Sequence, residues 1–93
     1  MVKTVKQKRK RVNFRFLAPH AERVFIAGDF NEWDTTSHPM KKDKKGLWKV
    51  SLNLAPGLYQ YKFFVDGDWQ NDPNCISLVE NQFGTFNCLV EVE

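Results

Sequence analysis

Apolar and polar residues alternate with period two through most of the chain. Val12, Phe14 and Phe16 alternate with Asn13 and Arg15 until Ala18-Pro19-His20 breaks the run, and Val24 and Ile26 alternate up to Gly28. Trp48, Val50 and Leu52 alternate with Lys49, Ser51 and Asn53, ending at Pro56-Gly57. Tyr59, Tyr61, Phe63 and Val65 alternate up to Asp66-Gly67, and Phe86, Cys88, Val90 and Val92 continue the pattern to the end. Successive side chains of a strand leave on opposite faces, so each run predicts a strand with one buried and one solvated face. Glycines 28, 46, 57, 67 and 84 all sit where a strand begins or stops. No window carries a sustained helical period with caps. Short strands divided by Gly, Pro and Asn turns predict an all-β antiparallel sandwich or barrel, and about 100 residues is the size of an immunoglobulin-like sandwich.

The 93 residues make one domain with a modest core. That is too short for a catalytic barrel, and the longest apolar runs are too short to span a membrane. Six of the 14 basic residues precede Val12, whereas all 11 acidic residues follow it. This divides the chain into a basic, flexible tail (1–11) and a globular module (12–93). A basic tail attracts polyanions, but the pattern shows no compact basic face on the module, so the tail reads as a solvated terminus and nucleic acid is not the expected partner. Cys75 and Cys88 have neither a metal-ligand spacing nor a CxxC arrangement. Two such cysteines are expected to be free thiols of a reducing cytoplasm, Cys88 buried with Phe86 and Val90, and Cys75 the more reactive in its loop.

Catalytic chemistry needs a nucleophile with a base, a metal cluster or tuned carboxylates. His20 and His38 stand alone among turn residues, and Glu32 and Asp34 flank Trp33 at a spacing that usually means solvated charge. The glycines are scattered singly, without a phosphate-cradling loop. The expectation is a non-enzymatic domain without cofactor or metal.

Two segments instead point to recognition. GDFNEWDTT (28–36) and YKFFVDGDWQNDP (61–73) each place a tryptophan in or beside a turn. Trp48 shares the parity of Val50 and Leu52 and belongs to the core, but Trp33 and Trp69 have no such partners. An indole offers a flat π face, and the axial C–H groups of a pyranose fit against it, while sugar hydroxyls need polar partners. Asn31, Lys62, Gln70, Asn71, Thr85 and Asn87 would supply them. Composition alone leaves open whether the two indoles bind a sugar chain or plug the ends of the sandwich. Parity turns Lys62 outward with Gln60 and Phe64, and Thr85 and Asn87 outward in the last strand. If those two strands are neighbours, Lys62, Thr85 and Asn87 share one polar face near Trp69.

VFIAGDFNEW, GLYQYKFFVDGDWQNDP and NQFGTFN together resemble the family 48 carbohydrate-binding modules, in order and spacing, over about residues 12–93. That family includes the glycogen-binding domain of the AMP-activated protein kinase β subunit and the N-terminal domains of branching enzymes and isoamylases. The resemblance implies an early-set immunoglobulin-like β-sandwich that binds α-1,4-glucans such as glycogen, starch or maltooligosaccharides. It implies that Trp33 and Trp69 are stacking platforms and that Lys62 bonds sugar hydroxyls. Thr85 and Asn87 would be polar contacts, and Phe83 would stand where the kinase domain has a leucine that reaches through the glucan helix. Asn31, Gln70 and Asn71 remain secondary candidates. NCISLVENQ is one residue longer than its counterpart in the kinase domain. Some members keep the fold without binding sugar. The alternative is therefore a scaffold domain docked to a family 13 glycoside hydrolase or another partner protein, or the N-terminal fragment of such an enzyme.

Overall fold

The five alternating runs become the five long strands of two antiparallel sheets. The structure, a computed structural model, describes residues 8–93. Its strands are β1 (Lys10–Leu17), β2 (Val24–Gly28), β3 (Lys41–Lys42), β4 (Leu47–Leu54), β5 (Gly57–Val65), β6 (Asp68–Gln70), β7 (Leu78–Glu80) and β8 (Phe86–Val92). One sheet has the order β1-β4-β3, and the other β2-β5-β8-β7, with β6 also paired to β5. The result is the all-β sandwich that the alternation predicts.

The inward residues of the two sheets meet in one core. Phe14 and Phe16 of β1 with Trp48, Leu52 and Leu54 of β4 pack against Val24, Ile26, Tyr61, Phe63, Val65, Cys88 and Val92. The Phe14 and Tyr61 rings stand 5.0 Å apart, and the Phe16 and Phe63 rings 4.9 Å. Each large side chain removed from water contributes roughly 1.5–3 kcal/mol, and the whole set must offset the entropy of ordering the chain. The Trp48 indole N–H donates to the carbonyl of Ala18 at 2.8 Å, so the core tryptophan is satisfied as well as buried. Trp33 and Trp69 are not members of this core.

Strand β5 sits between β2 on one edge and β8 followed by β6 on the other. Tyr61 lies opposite Cys88, while Phe64 lies opposite both Phe25 and Trp69. The adjacency of the Tyr59–Val65 strand and the last strand, conditional in the sequence, is therefore realised. Asp66 and Gly67, at φ 48° and 87°, form the two-residue turn that returns β5 into β6. Positive φ at both positions is the turn geometry matched to hairpin twist, and Asp-Gly is a favoured pair for it. The Asp66 carboxylate also accepts from the backbone N–H groups of Glu22 (3.0 Å) and Arg23 (2.8 Å), which ties the hairpin tip to the entry of β2.

Four features depart from the sequence reading. Trp69 lies within a strand, because β6 is too short for alternation to reveal it. Lys10 and Arg11, assigned to the tail, pair with Leu54 and Asn53 in β1; residues 1–7 of that tail lie outside the described residues. The module does carry a compact basic face: Arg15 lies opposite Lys49, which also lies opposite Lys41, all exposed on the outer side of the smaller sheet. Single basic residues far apart in sequence become a cluster only through strand pairing. Finally, Phe86 has inward parity but is 46 % exposed, since β7 and the start of β8 lie at the margin of a sheet wider than its partner.

The cysteines correct an expectation. Cys88 is fully buried, as parity requires, but its sulfur is joined to that of Cys75 in a disulfide, with Cα atoms 6.0 Å apart. Thirteen positions separate them, and only the fold brings the 71–77 loop back over β8. The expectation of a reducing cytoplasm rested on unpaired thiols, and the pairing removes that premise. No helix among the described residues is long and apolar enough to cross a membrane.

A non-reducing intact mass is expected to be two hydrogens below that of the dithiol chain. Reduction should lower the melting temperature, since a cross-link closing a loop of this size stabilises by about 3 kcal/mol on chain-entropy grounds. A dithiol mass from gently isolated protein would contradict the pairing.

Candidate functional site

Trp33 is presented by a loop under backbone constraint. Gly28 ends β2 so close to β5 that a Cβ there would collide with the Gln60 carbonyl. This approach lets Asp29, which opens a short 3-10 turn (Asp29–Asn31), reach β5: its Oδ2 accepts the Gln60 N–H at 2.8 Å. Its Oδ1 accepts the Trp33 indole N–H at 3.1 Å. One carboxylate thus holds both the sheet and the ring. Glu32 and Trp33 occupy the left-handed region at φ 56° and 59°, a conformation costing of order 1 kcal/mol or more per non-glycine residue. Asn31 offsets it: its Oδ1 accepts from Gly28 at 3.0 Å, and its amide donates to Ile26 O at 3.1 Å and meets His38 Nδ1 at 3.0 Å. Asp34 closes the loop by accepting the Thr36 N–H and O–H, both at 2.8 Å, which holds its carboxyl below the usual carboxylate range.

Trp69 comes from the opposite side, on the β5–β6 hairpin. It is 45 % exposed, with its ring 4.9 Å from Phe64 and 6.1 Å from Trp33. The two indole planes meet at 66°. Neither ring plugs the sandwich; they form an angled pair on the outer face of the larger sheet. Beyond the hairpin, Asp72 anchors the chain. Its carboxylate accepts the Tyr61 hydroxyl at 2.8 Å, and its N–H donates to Cys88 Sγ at 3.3 Å. Burial, reinforced by this carboxylate, pushes the Tyr61 phenol far above its ordinary pKa, so the anchor stays a neutral donor.

The third part is the β7–β8 turn. Asn81 organises it: its Oδ1 accepts the N–H groups of Phe83 (2.9 Å) and Thr85 (3.1 Å), and its amide donates to Thr85 Oγ1 (2.7 Å) and Asn87 Oδ1 (2.9 Å). Asn87 in turn donates to Gln60 Oε1 at 3.1 Å. A continuous polar chain therefore runs Asn81–Asn87–Gln60–Asp29–Trp33, crossing from the last turn to the first loop.

The fold brings Trp33 and Trp69 together and places Lys62 on the same outer face, one position along β5 from Tyr61 and two from Phe64. Thr85 is exposed at the end of the β7–β8 turn, and Phe83 projects from that turn at 79 % exposure. Asn87 faces outward but is buried, because Asn81 and Gln60 cover it. The secondary candidates fare differently. Asn31 spends its side-chain amide within its own loop. Gln70 lies opposite Phe63, so alternation sends it to the face away from Trp69, and Asn71 is exposed just past β6. Asp29, Gln60 and Asn81 were missed. Asn81 alone left a signal, an Asn before Gly84 in a turn-rich stretch; the partners of Asp29 and Gln60 exist only in the fold.

A family model described as the glycogen recognition site of AMP-activated protein kinase matches residues 11–93. The chain is 44 % identical over 70 residues to the β-2 subunit of 5'-AMP-activated protein kinase of Homo sapiens, covering 75 % of this chain and 25 % of that subunit. The human β-1 subunit is 37 % identical over 70 residues, covering 75 % of this chain and 24 % of that subunit. The chloroplastic protein PTST homolog 2 of Arabidopsis thaliana is 45 % identical over 53 residues, 57 % of this chain and 10 % of that protein. The chain thus spans about a quarter of the length of the kinase subunits it matches. A domain of this family recognises its ligand and is not an enzyme.

Removing the Asp29 carboxylate should free the Trp33 ring without unfolding the sandwich. Asp29→Ala is expected to weaken glycogen binding about threefold to tenfold, the worth of one or two exposed hydrogen bonds. Asp29→Asn, which keeps a carbonyl acceptor, should recover part of it. Far-ultraviolet circular dichroism checks the cause: two indoles 6.1 Å apart at 66° couple excitonically, and that couplet should fade in Asp29→Ala. An unchanged couplet with unchanged binding would remove Asp29 from the site.

Proposed function

The chain belongs to the family of glycogen recognition sites found in AMP-activated protein kinase, and from that membership we propose that the outer face of its larger sheet binds α-1,4-linked glucans. Trp33 and Trp69 are the stacking platforms. Lys62 and Thr85 bond sugar hydroxyls at their edges, and Asn87, held in its network, lines the surface. Phe83 supplies an apolar probe at the margin. Glycogen, starch and maltooligosaccharides share the linkage this face would read.

The observation that carries the reading is the 66° angle between indoles only 6.1 Å apart. Any glucopyranose has an apolar face that stacks on indole, so stacking alone does not choose a linkage. An α-1,4 chain curves, turning successive rings relative to one another, and two angled platforms follow that curve. A flat β-1,4 chain fits coplanar platforms. Exchange of water for protein partners at the hydroxyls gives little net energy, so the affinity rests on the two rings and should be weak, with a Kd of roughly 10 µM to 1 mM.

Calorimetric titration tests this. Binding is expected for β-cyclodextrin and maltoheptaose, with little or none for cellohexaose. Trp33→Ala and Trp69→Ala should each weaken binding about tenfold or more, the loss of roughly 1.4 kcal/mol or more, with the melting temperature changed by only a few degrees. Equal binding of cellohexaose, or no binding of any glucan, would favour the scaffold domain docked to a glycoside hydrolase or other partner.

A further inference from the structure

We propose that the sugar surface continues past Trp69 into a second subsite, floored by Phe64 and Phe25 and rimmed by Arg23 and Glu22, which holds further glucosyl units of the same α-glucan chain. This rests on the α-glucan reading above and extends it to residues which that reading does not use.

The register supplies the first argument. Trp69 of β6, Phe64 of β5 and Phe25 of β2 lie directly opposite one another across three strands. Residues opposite one another share a face, so the three rings form one row on the outer side of the sheet. With strands about 4.8 Å apart, the row extends about 10 Å from Trp69 to Phe25, the reach of roughly two sugar rings. The Phe64 ring is 4.9 Å from Trp69, so no polar gap interrupts the row. Phe25 and Phe64 are only half-buried, although the core accounts for the other face of both strands.

The second argument is the space above the row. A groove of about 520 Å³, lined by Glu22, Arg23, Phe25, Phe64, Asp66 and Gly67, opens where the row ends. That lies within the range of small-molecule sites. Its polar groups divide into two sets. Asp66 is occupied, accepting the backbone N–H groups of Glu22 and Arg23 and so fixing the position of both residues. The Arg23 guanidinium and the Glu22 carboxylate have no hydrogen bond or ion pair among the described residues. Five donors in a rigid fork beside a pure acceptor suit the neighbouring hydroxyls of a pyranose, which donate and accept in turn. An aromatic floor with a polar rim repeats the chemistry at Trp33 and Trp69, and its continuity with that surface selects the same chain as occupant.

A closed ring provides the control. β-Cyclodextrin and maltoheptaose both contain seven glucosyl units, but only the linear chain is able to run out along the row. Phe25→Ala and Arg23→Ala are expected to keep wild-type affinity for β-cyclodextrin and to weaken maltoheptaose about threefold to tenfold in calorimetric titration, about 0.7–1.4 kcal/mol. Arg23 is exposed, so its variant tests the subsite even if Phe25→Ala lowers stability. Unchanged maltoheptaose affinity in Arg23→Ala and in a folded Phe25→Ala would overturn the subsite while leaving the α-glucan reading in place, as would equal losses for both sugars. Wild-type protein that binds neither sugar would overturn both.

Discussion

Everything on the outer face of the larger sheet depends on the register of β5. It has partners along both edges, β2 on one side and β8 with β6 on the other. Its alternation sends Tyr61, Phe63 and Val65 into the core and Gln60, Lys62 and Phe64 to the outer face. A slip of one residue would exchange the two sets, burying a lysine and exposing the Phe63 ring. The core therefore dictates which side chains lie on that outer face. The Asp66-Gly67 turn then fixes β6 in the same register and delivers Trp69 opposite Phe64.

A site built partly on loops has to be held as firmly as one built on strands, because ordering it on binding would subtract from the affinity. Here the loops are tied to β5 and to each other. Asp29 joins the Trp33 ring to the Gln60 backbone, Asn87 joins the Gln60 side chain to Asn81, and Asp72 joins the segment after Trp69 to Tyr61. None of these bonds is individually large, since each exchanges a bond to water for one within the protein. Their value lies in pre-setting the angle between two rings that would otherwise rotate freely. The left-handed backbone at Glu32 and Trp33 fits this picture: strain is tolerated where the surrounding bonds over-determine the conformation.

The two faces of the sandwich divide the chemistry. Aromatic rings and amides gather on the larger sheet, while Arg15, Lys41 and Lys49 gather on the outer side of the smaller one, with only the Asp43–Lys49 pair (3.4 Å) between oppositely charged side chains of the described residues. Stacking on a neutral sugar is little affected by salt, whereas a basic face responds strongly to it. The surfaces are therefore separable by experiment even though one core supports both.

Alternation made the sandwich legible, because a strand with one wet face must write its period into the sequence: Phe14, Trp48, Phe63 and Cys88 declared their burial by position alone. The outward set of Lys62, Thr85 and Asn87 followed from the same period. The lack of parity partners for Trp33 and Trp69 set them apart from Trp48 while leaving open whether they bind a ligand or plug the sandwich ends. What the period does not encode is pairing across the chain. The contact of Trp33 with Trp69, the joining of Cys75 to Cys88, the bridge of Asp29 to Gln60 and the basic face of Arg15, Lys41 and Lys49 all link residues far apart in sequence. Short pieces such as β6 carry too few residues to show a period, so Gln70 looked like a neighbour of the site until its pairing with Phe63 turned it away. Local sequence determines which face a side chain takes, since that depends only on backbone geometry and the cost of leaving apolar area in water. Which side chains meet on that face is decided by register and loop closure, which belong to the folded chain as a whole.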